Sequence, residues 1–152
     1  MTATGFPPEG FRLSEAPMAP DAPDDPGVAT IRRFLTALDA GDPDAARALL
    51  ADGVTWTVPG RSPVAGHHEG PDAVLSVDST LRELSGGTLR HHVLIWLAAP
   101  PHAHAVTRQT ATRNGVEGSF DRAIVFALDG AGLISEVHAY TDDLYAFDDF
   151  WR

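Results

Sequence analysis

The chain has 152 residues, 43% hydrophobic and 21% charged, a length and balance that fit one globular domain. Its formal net charge of −10 argues against binding to nucleic acid or to an anionic membrane surface. There is no cysteine and all 11 basic residues are Arg, which excludes disulfides, thiolate nucleophiles, side-chain Schiff bases and a P-loop lysine.

Residues 1–27 are rich in Pro, Ala and Asp, as in APMAPDAPDDPG, and this composition predicts a flexible tail ahead of a domain spanning 28–152. Phe6, Phe11 and Leu13 are its apolar residues available for docking. No basic segment followed by an apolar run begins the chain, and no stretch approaches the roughly 20 apolar residues of a membrane span, so a cytoplasmic protein is expected. Val28, Ile31, Leu35 and Leu38 recur at helical spacing, with Phe34 beside them, until Gly41 ends the helix. Asp42 and Pro43 open a second helix, with Leu49 and Leu50 expected on its buried side. VTWTVPG reads as a short strand closed by Pro-Gly, and RSPVAGHHEG as an irregular loop. Pro71 opens a third helix carrying Val74, Val77, Leu81 and Leu84, stopped by Gly86-Gly87. LRHHVLIWLA, HAVTRQTATR, EGSFDRAIVFAL and GLISEVHAYT then read as an antiparallel meander with turns at APPH, Asn114-Gly115 and Asp129-Gly130. The end, DDLYAFDDFWR, is expected to form one helical turn. Helices preceding an antiparallel sheet make an α+β domain, with the helices on one face of the sheet.

Three segments carry a family resemblance: FLTALDAGDPDAARALLADGVTWTVPG, SPVAGHHEGPDAV and FDRAIVFALDGAGLISEVHAYTDD. They resemble the SnoaL-like branch of the nuclear transport factor two-like superfamily, over about Val28 to Trp151. The resemblance implies a cone-shaped, curved antiparallel sheet packed against three N-terminal helices. It also implies a small-molecule cavity, and a homodimer as in related domains. The superfamily holds ketosteroid isomerases, polyketide cyclases, epoxide hydrolases and binding modules, so fold alone does not give the activity. The isomerase positions for a tyrosine donor, an aspartate base and a protonated aspartate match Phe34, Val58 and Ile124 here. The late aspartate of the cyclases and epoxide hydrolases matches Ala139, and the Arg-x-Asp of the hydrolases is missing from HAVTRQTATR. The acids known from the family are therefore absent.

Strand alternation, anchored by Ile124 facing inward, sorts the remaining residues. Phe120, Arg122, Ile124, Phe126 and Leu128 are expected inside, with Thr107, Gln109, Ala111, Val137, Ala139, Thr141, Trp56 and Val58. The same parity puts Leu89, His91, Val93 and Ile95 inside, and Glu136, His138 and Tyr140 outside. Arg122 reads either as an ion pair with Asp142, Asp143 or Glu117 at the mouth of the cone, or as the grip for an anionic or carbonyl ligand. His91 reads as a general base or as a neutral histidine hydrogen-bonded within the sheet. Gln109 is a candidate carbonyl binder. Arg122, His91 and Gln109 are thus the candidate catalytic residues, and Trp56, Val58, Thr107, Phe126, Val137, Thr141 and Asp142 the candidate ligand contacts. His67-His68 and His102-x-His104 invite a metal reading. No Glu follows the second pair and it sits at a Pro-Pro turn, so no metal or other cofactor is expected. Ala123, Val125 and Ala127 leave the outer side of one strand apolar, which also points to a homodimer. These features lead to a cofactor-independent cyclase, isomerase or hydratase-like enzyme acting on a small apolar, carbonyl-containing metabolite. The alternative is a non-catalytic ligand-binding or dimerisation domain of the same fold.

Overall fold

The structure, a computed structural model, describes residues 22–152. The expected tail residues Phe6, Phe11 and Leu13 lie outside the described residues.

Helix α1 spans Pro26–Asp39. The Asp25 carboxylate accepts a hydrogen bond from the Val28 N–H at 3.0 Å, and Pro26 supplies a preset φ in the first turn. Val28, Ile31, Phe34, Leu35 and Leu38 form its buried face, and Gly41 reverses the chain at φ +68°. Asp42 caps the short α2, Pro43–Arg47. Leu49 and Leu50 do not belong to α2, as the sequence suggested. The helix stops after five residues, and Leu50 begins β1, Leu50–Val58.

The expected loop 61–70 contains strand β2, Gly66–Glu69, which pairs antiparallel with β1 at Thr55–Glu69 through Val58–Gly66. Its four residues are mostly exposed, so no apolar alternation announced it. Helix α3 covers Pro71–Leu84 and ends at Gly86 and Gly87, both at positive φ. Strands β3 (Arg90–Ala99), β4 (His102–Arg113), β5 (Val116–Leu128) and β6 (Ile134–Thr141) follow, and helix α4 spans Leu144–Trp151. At eight residues α4 is twice the single turn expected.

The strands form one curved, unclosed sheet in the order β2-β1-β6-β5-β4-β3. The sheet is mixed rather than purely antiparallel, because β1 runs parallel to β6. This placement lets β1 extend the meander and brings α1 and α3 onto the concave side. There α1 lies against β3 and β4, and α3 lies against β1. The core between them includes Phe34, Val54, Trp56, Phe126 and Val137, all nearly inaccessible. Each large apolar side chain so buried contributes about 2 to 3 kcal/mol of transfer free energy.

One register expectation fails. Val93 pairs with Thr107, but Ile95 pairs with Val106, so Leu94 is an extra residue. Beyond that bulge the parity inverts: Trp96 is half-buried, while Ile95 is 40% exposed and Leu97 48% exposed. His91 and Val93 precede the bulge and keep the predicted inward parity.

Candidate functional site

The inward polar residues form two rows across the concave face. In the first, Thr141 on β6 neighbours Arg122 on β5, which neighbours Thr107 on β4 and then Val93 on β3. In the second, Phe120 on β5 neighbours Gln109 on β4 and His91 on β3. The sheet thus brings Arg122, Thr107, Gln109, Thr141 and His91 onto adjacent rows, as strand parity predicts. Trp56, Val58, Phe126 and Val137 face the same interior, all with little or no accessible surface.

Arg122 is 3% exposed. Its Nε donates to Thr141 Oγ1 at 3.1 Å, and its guanidinium carbon lies 4.8 Å from the centroid of the Phe147 ring on α4. No carboxylate of the described residues lies within 4.0 Å of it, so the expected ion pair with Asp142, Asp143 or Glu117 is not formed. Burial pushes the Arg122 pKa down to about 10, which still leaves a cation at neutral pH. On the neighbouring strand β4, Thr107 Oγ1 and Gln109 Oε1 are buried with no hydrogen-bond partner among the described residues, and elsewhere in the core so are Ser62 Oγ, Trp56 Nε1 and Trp151 Nε1. Buried polar atoms are usually satisfied, so Thr107 and Gln109 beside the Arg122 row are exceptions.

His91 has a different environment. Its Nδ1 lies 2.9 Å from Asp39 Oδ1, its backbone N–H donates to Asp39 Oδ2 at 3.1 Å, and its Nε2 lies 3.7 Å from Asp78 Oδ1. Arg82 completes the group, reaching Asp78 Oδ2 at 3.2 Å, Asp39 Oδ1 at 3.4 Å and the Leu89 carbonyl at 2.9 Å. Burial raises the Asp39 carboxyl, but the hydrogen bonds and charge of His91 and the charge of Arg82 outweigh it and hold Asp39 below its ordinary value. The quartet joins α1, α3 and β3, and His91 and Asp39 also line a surface cleft of about 200 Å³ with Trp96. His91 is therefore neither a free base nor bonded within the sheet, because its ring is held by helix carboxylates. Sequence reasoning missed Asp39, Asp78 and Arg82. The readable signal was Asp78, an acid within the apolar row Val74, Val77, Leu81 of α3.

Asp142 is exposed and lines an outer cleft of about 380 Å³ with Arg108, Asp121 and Asp143, where Arg108 and Asp121 form a bidentate pair at 2.8 and 3.0 Å. His67 contacts Thr57 Oγ1 and Glu69, while His68 bonds the Val64 carbonyl. His102 lies exposed and His104 half-buried beyond the Pro100-Pro101 turn.

The SnoaL-like domain family matches residues 31–137. The chain belongs to this SnoaL-like family. The structure of Bal32a, from a soil-derived mobile gene cassette, is similar to this SnoaL-like domain at 30% sequence identity and a TM-score of 0.80, covering 84% of this chain and 97% of that one. A nuclear transport factor two-like protein from Burkholderia xenovorans is similar in fold at 18% identity and a TM-score of 0.71, covering 84% and 96%. RV0760c from Mycobacterium tuberculosis, solved in complex with estradiol-17beta-hemisuccinate, is similar in fold at 17% identity and a TM-score of 0.65, covering 77% and 94%. No curated protein sequence matches this SnoaL-like chain. Among its described residues no helix is long and apolar enough to cross a membrane.

Proposed function

We propose that this SnoaL-like cone binds a small, mainly apolar metabolite through one carbonyl, enolate or carboxylate oxygen held by Arg122. The observation that carries this reading is a buried Arg122 cation with no carboxylate beside it, set in an apolar interior. Proteins rarely bury an arginine without pairing it, because the desolvated charge is costly until an anion arrives. Thr107, the neighbour of Arg122 on β4, has a hydroxyl left unpartnered that is able to donate to the same oxygen. The steroid hemisuccinate bound by RV0760c has this character, a rigid apolar body with an acidic group.

The finer form of this reading is a cofactor-independent cyclase, isomerase or hydratase. There Arg122 would stabilise negative charge developing on the substrate oxygen, and proton transfer would fall to His91. The hold of Asp39 and Asp78 on the His91 ring favours binding without turnover over this finer form. The partner expected is thus a small metabolite, in a domain that pairs as a homodimer.

The test uses 2-naphthoate and its uncharged counterpart 2-naphthalenemethanol, titrated into the full chain with tryptophan fluorescence as the signal. The carboxylate should bind at least about tenfold more tightly, and Arg122→Met should erase that preference. Equal affinity for the two compounds in the unaltered protein would overturn the assignment of Arg122. Turnover is read separately, as Arg122-dependent exchange of the α-protons of 2-tetralone in D₂O followed by NMR. Exchange at the buffer rate leaves binding as the function.

A further inference from the structure

Helix α4 sits where a ligand of Arg122 would have to sit. Phe147 is fully buried, its ring lies over the Arg122 guanidinium, and it packs edge-on against Phe120 at 5.3 Å between centroids. Trp151, one turn on, is also fully buried and contacts Phe147 and Phe150. The aromatic face of α4 therefore fills the apolar volume beside the candidate binding group.

Helix α4 joins the core through Phe147 and Trp151, yet its docking also carries costs. Burying Trp151 leaves its Nε1–H without a hydrogen-bond partner among the described residues, an unfavourable contact that opening would relieve. Docking α4 also keeps water from Arg122, which no carboxylate compensates. Against these stand the burial of Phe147 and Trp151 and a few polar tethers at the rim. The Asp148 carboxylate accepts from the backbone N–H groups of Arg61 at 2.8 Å and Ser62 at 3.0 Å. Arg113 donates to the carbonyls of Phe150 and Arg152 at 2.8 and 2.7 Å. Gly60 and Gly118 clear the space, since a Cβ on Gly60 would lie 2.5 Å from Asp148 Oδ1 and one on Gly118 would lie 2.7 Å from the Phe150 ring. The helix thus combines an apolar plug, an unpartnered indole N–H and a rim latch, joined to β6 through Asp142 and Asp143.

We propose that α4 is a displaceable internal plug whose Phe147 occupies the ligand's position over Arg122, so that docking of α4 and binding of the ligand exclude one another. This rests on the reading of Arg122 as the ligand-holding group. The Phe147 ring covers the guanidinium in the closed state without neutralising its charge, the incoming oxygen pairs with that charge in the open state, and the Asp148 latch sets the balance between them.

The experiment combines hydrogen exchange with binding kinetics on the full chain, using 2-naphthoate as the probe. Without probe, the amides of α4 should exchange at least about tenfold faster than those of β4 and β5, through local opening. Asp148→Ala should raise α4 exchange by a further factor of about ten, leave the sheet unchanged, and speed probe association by a similar factor. Arg113→Ala, which removes the other tether, repeats the test should Asp148→Ala fail to fold. Adding probe to the unaltered protein should deprotect α4. Exchange of α4 only in step with the sheet, or protection of α4 by the probe, overturns the plug and leaves the Arg122 reading standing. An α4 that opens as described while Arg122→Met binds 2-naphthoate as well as the unaltered protein overturns the Arg122 reading, and the exclusion with it.

Discussion

Replacing Arg122 with Met separates a binding group from a structural one. The fall of the Arg122 pKa from the ordinary arginine value to about 10 means that burial disfavours the folded cation by about 3 kcal/mol, at roughly 1.4 kcal/mol per pH unit. For a base whose folded pKa is lowered, the penalty is full below about pH 10 and fades only as pH rises towards the ordinary arginine value. The Phe147 ring returns about 0.5 to 2 kcal/mol, and the Thr141 hydrogen bond about 1 kcal/mol. Arg122 therefore contributes little net stability or costs up to about 2 kcal/mol. Met has a similar reach, is apolar and adapts to irregular space. Arg122→Met should leave the unfolding free energy unchanged or raise it by up to about 2 kcal/mol, with about 4 °C of melting temperature per kcal/mol. Urea denaturation followed by circular dichroism measures this, and the 2-naphthoate titration is run on the same samples. Destabilisation by more than about 2 kcal/mol would show that Arg122 is a pillar of the fold, and the argument from its uncompensated charge would fail.

The Asp39 carboxyl, held below its ordinary value by His91 and Arg82, contributes stability that is present above the unfolded value of 3.8 and is lost as pH falls through the lower folded value. Urea midpoints measured from pH 6 down to 2.5 should drop steeply in that acid range, and Asp39→Asn should flatten the drop while lowering the plateau. The outer face carries Ala123, Val125 and Ala127 beside exposed Ile95, Leu97 and Tyr140, and should pair two copies. Light scattering should give about twice 16.2 kDa, Val125→Arg should halve it, and a monomer mass at micromolar concentration for the unaltered chain would refute the pairing. Removing residues 1–21 should lower the melting temperature by less than about 10 °C. Extending the deletion through Asp25 should cost a further 1 kcal/mol or so, because it removes the carboxylate that caps α1.

The helices and the meander were legible because each carries a local signal. Asp42-Pro43 and Pro71 mark helix starts, Gly41 and Gly86-Gly87 mark ends, and Asn114-Gly115 sits at positive φ as a tight hairpin requires, whereas Asp25 and Pro26, which cap and open α1, read as tail because of the Pro-rich residues before them. What escaped is what tertiary contact decides. Strand β2 has exposed residues on both sides and exists because its backbone completes the edge of β1. The bulge at Leu94 reverses the faces of Ile95 and Leu97 without any Gly or Pro to announce it. Helix α4 did carry a signal, Phe147 and Trp151 at i, i+4, but the acids between and around them made it look solvated. Parity correctly placed Arg122, Gln109, Thr107 and His91 on one face. It could not say what each side chain would meet there, since Asp39, Asp78 and Phe147 arrive from other parts of the chain.

Those encounters, rather than residue type, decide which of the two polar centres is the site. His91 is the residue whose chemistry is most versatile near neutral pH, yet it stands between Asp39 and Asp78 with Arg82 alongside. Two carboxylates, an arginine and an imidazole close their own hydrogen bonding, and such a group ties α1 and α3 to β3 while asking nothing of a ligand. Arg122, chemically the simpler residue, meets one hydroxyl and one aromatic ring, so its balance is left open. A ligand gains affinity only from interactions that the empty protein has not already satisfied. The open balance at Arg122 can add to the binding of an anionic oxygen, whereas the closed one at His91 would first have to be broken. The binding reading of the cone follows from that asymmetry, and a proton-transferring role for His91 would require a substrate able to draw its ring away from Asp39.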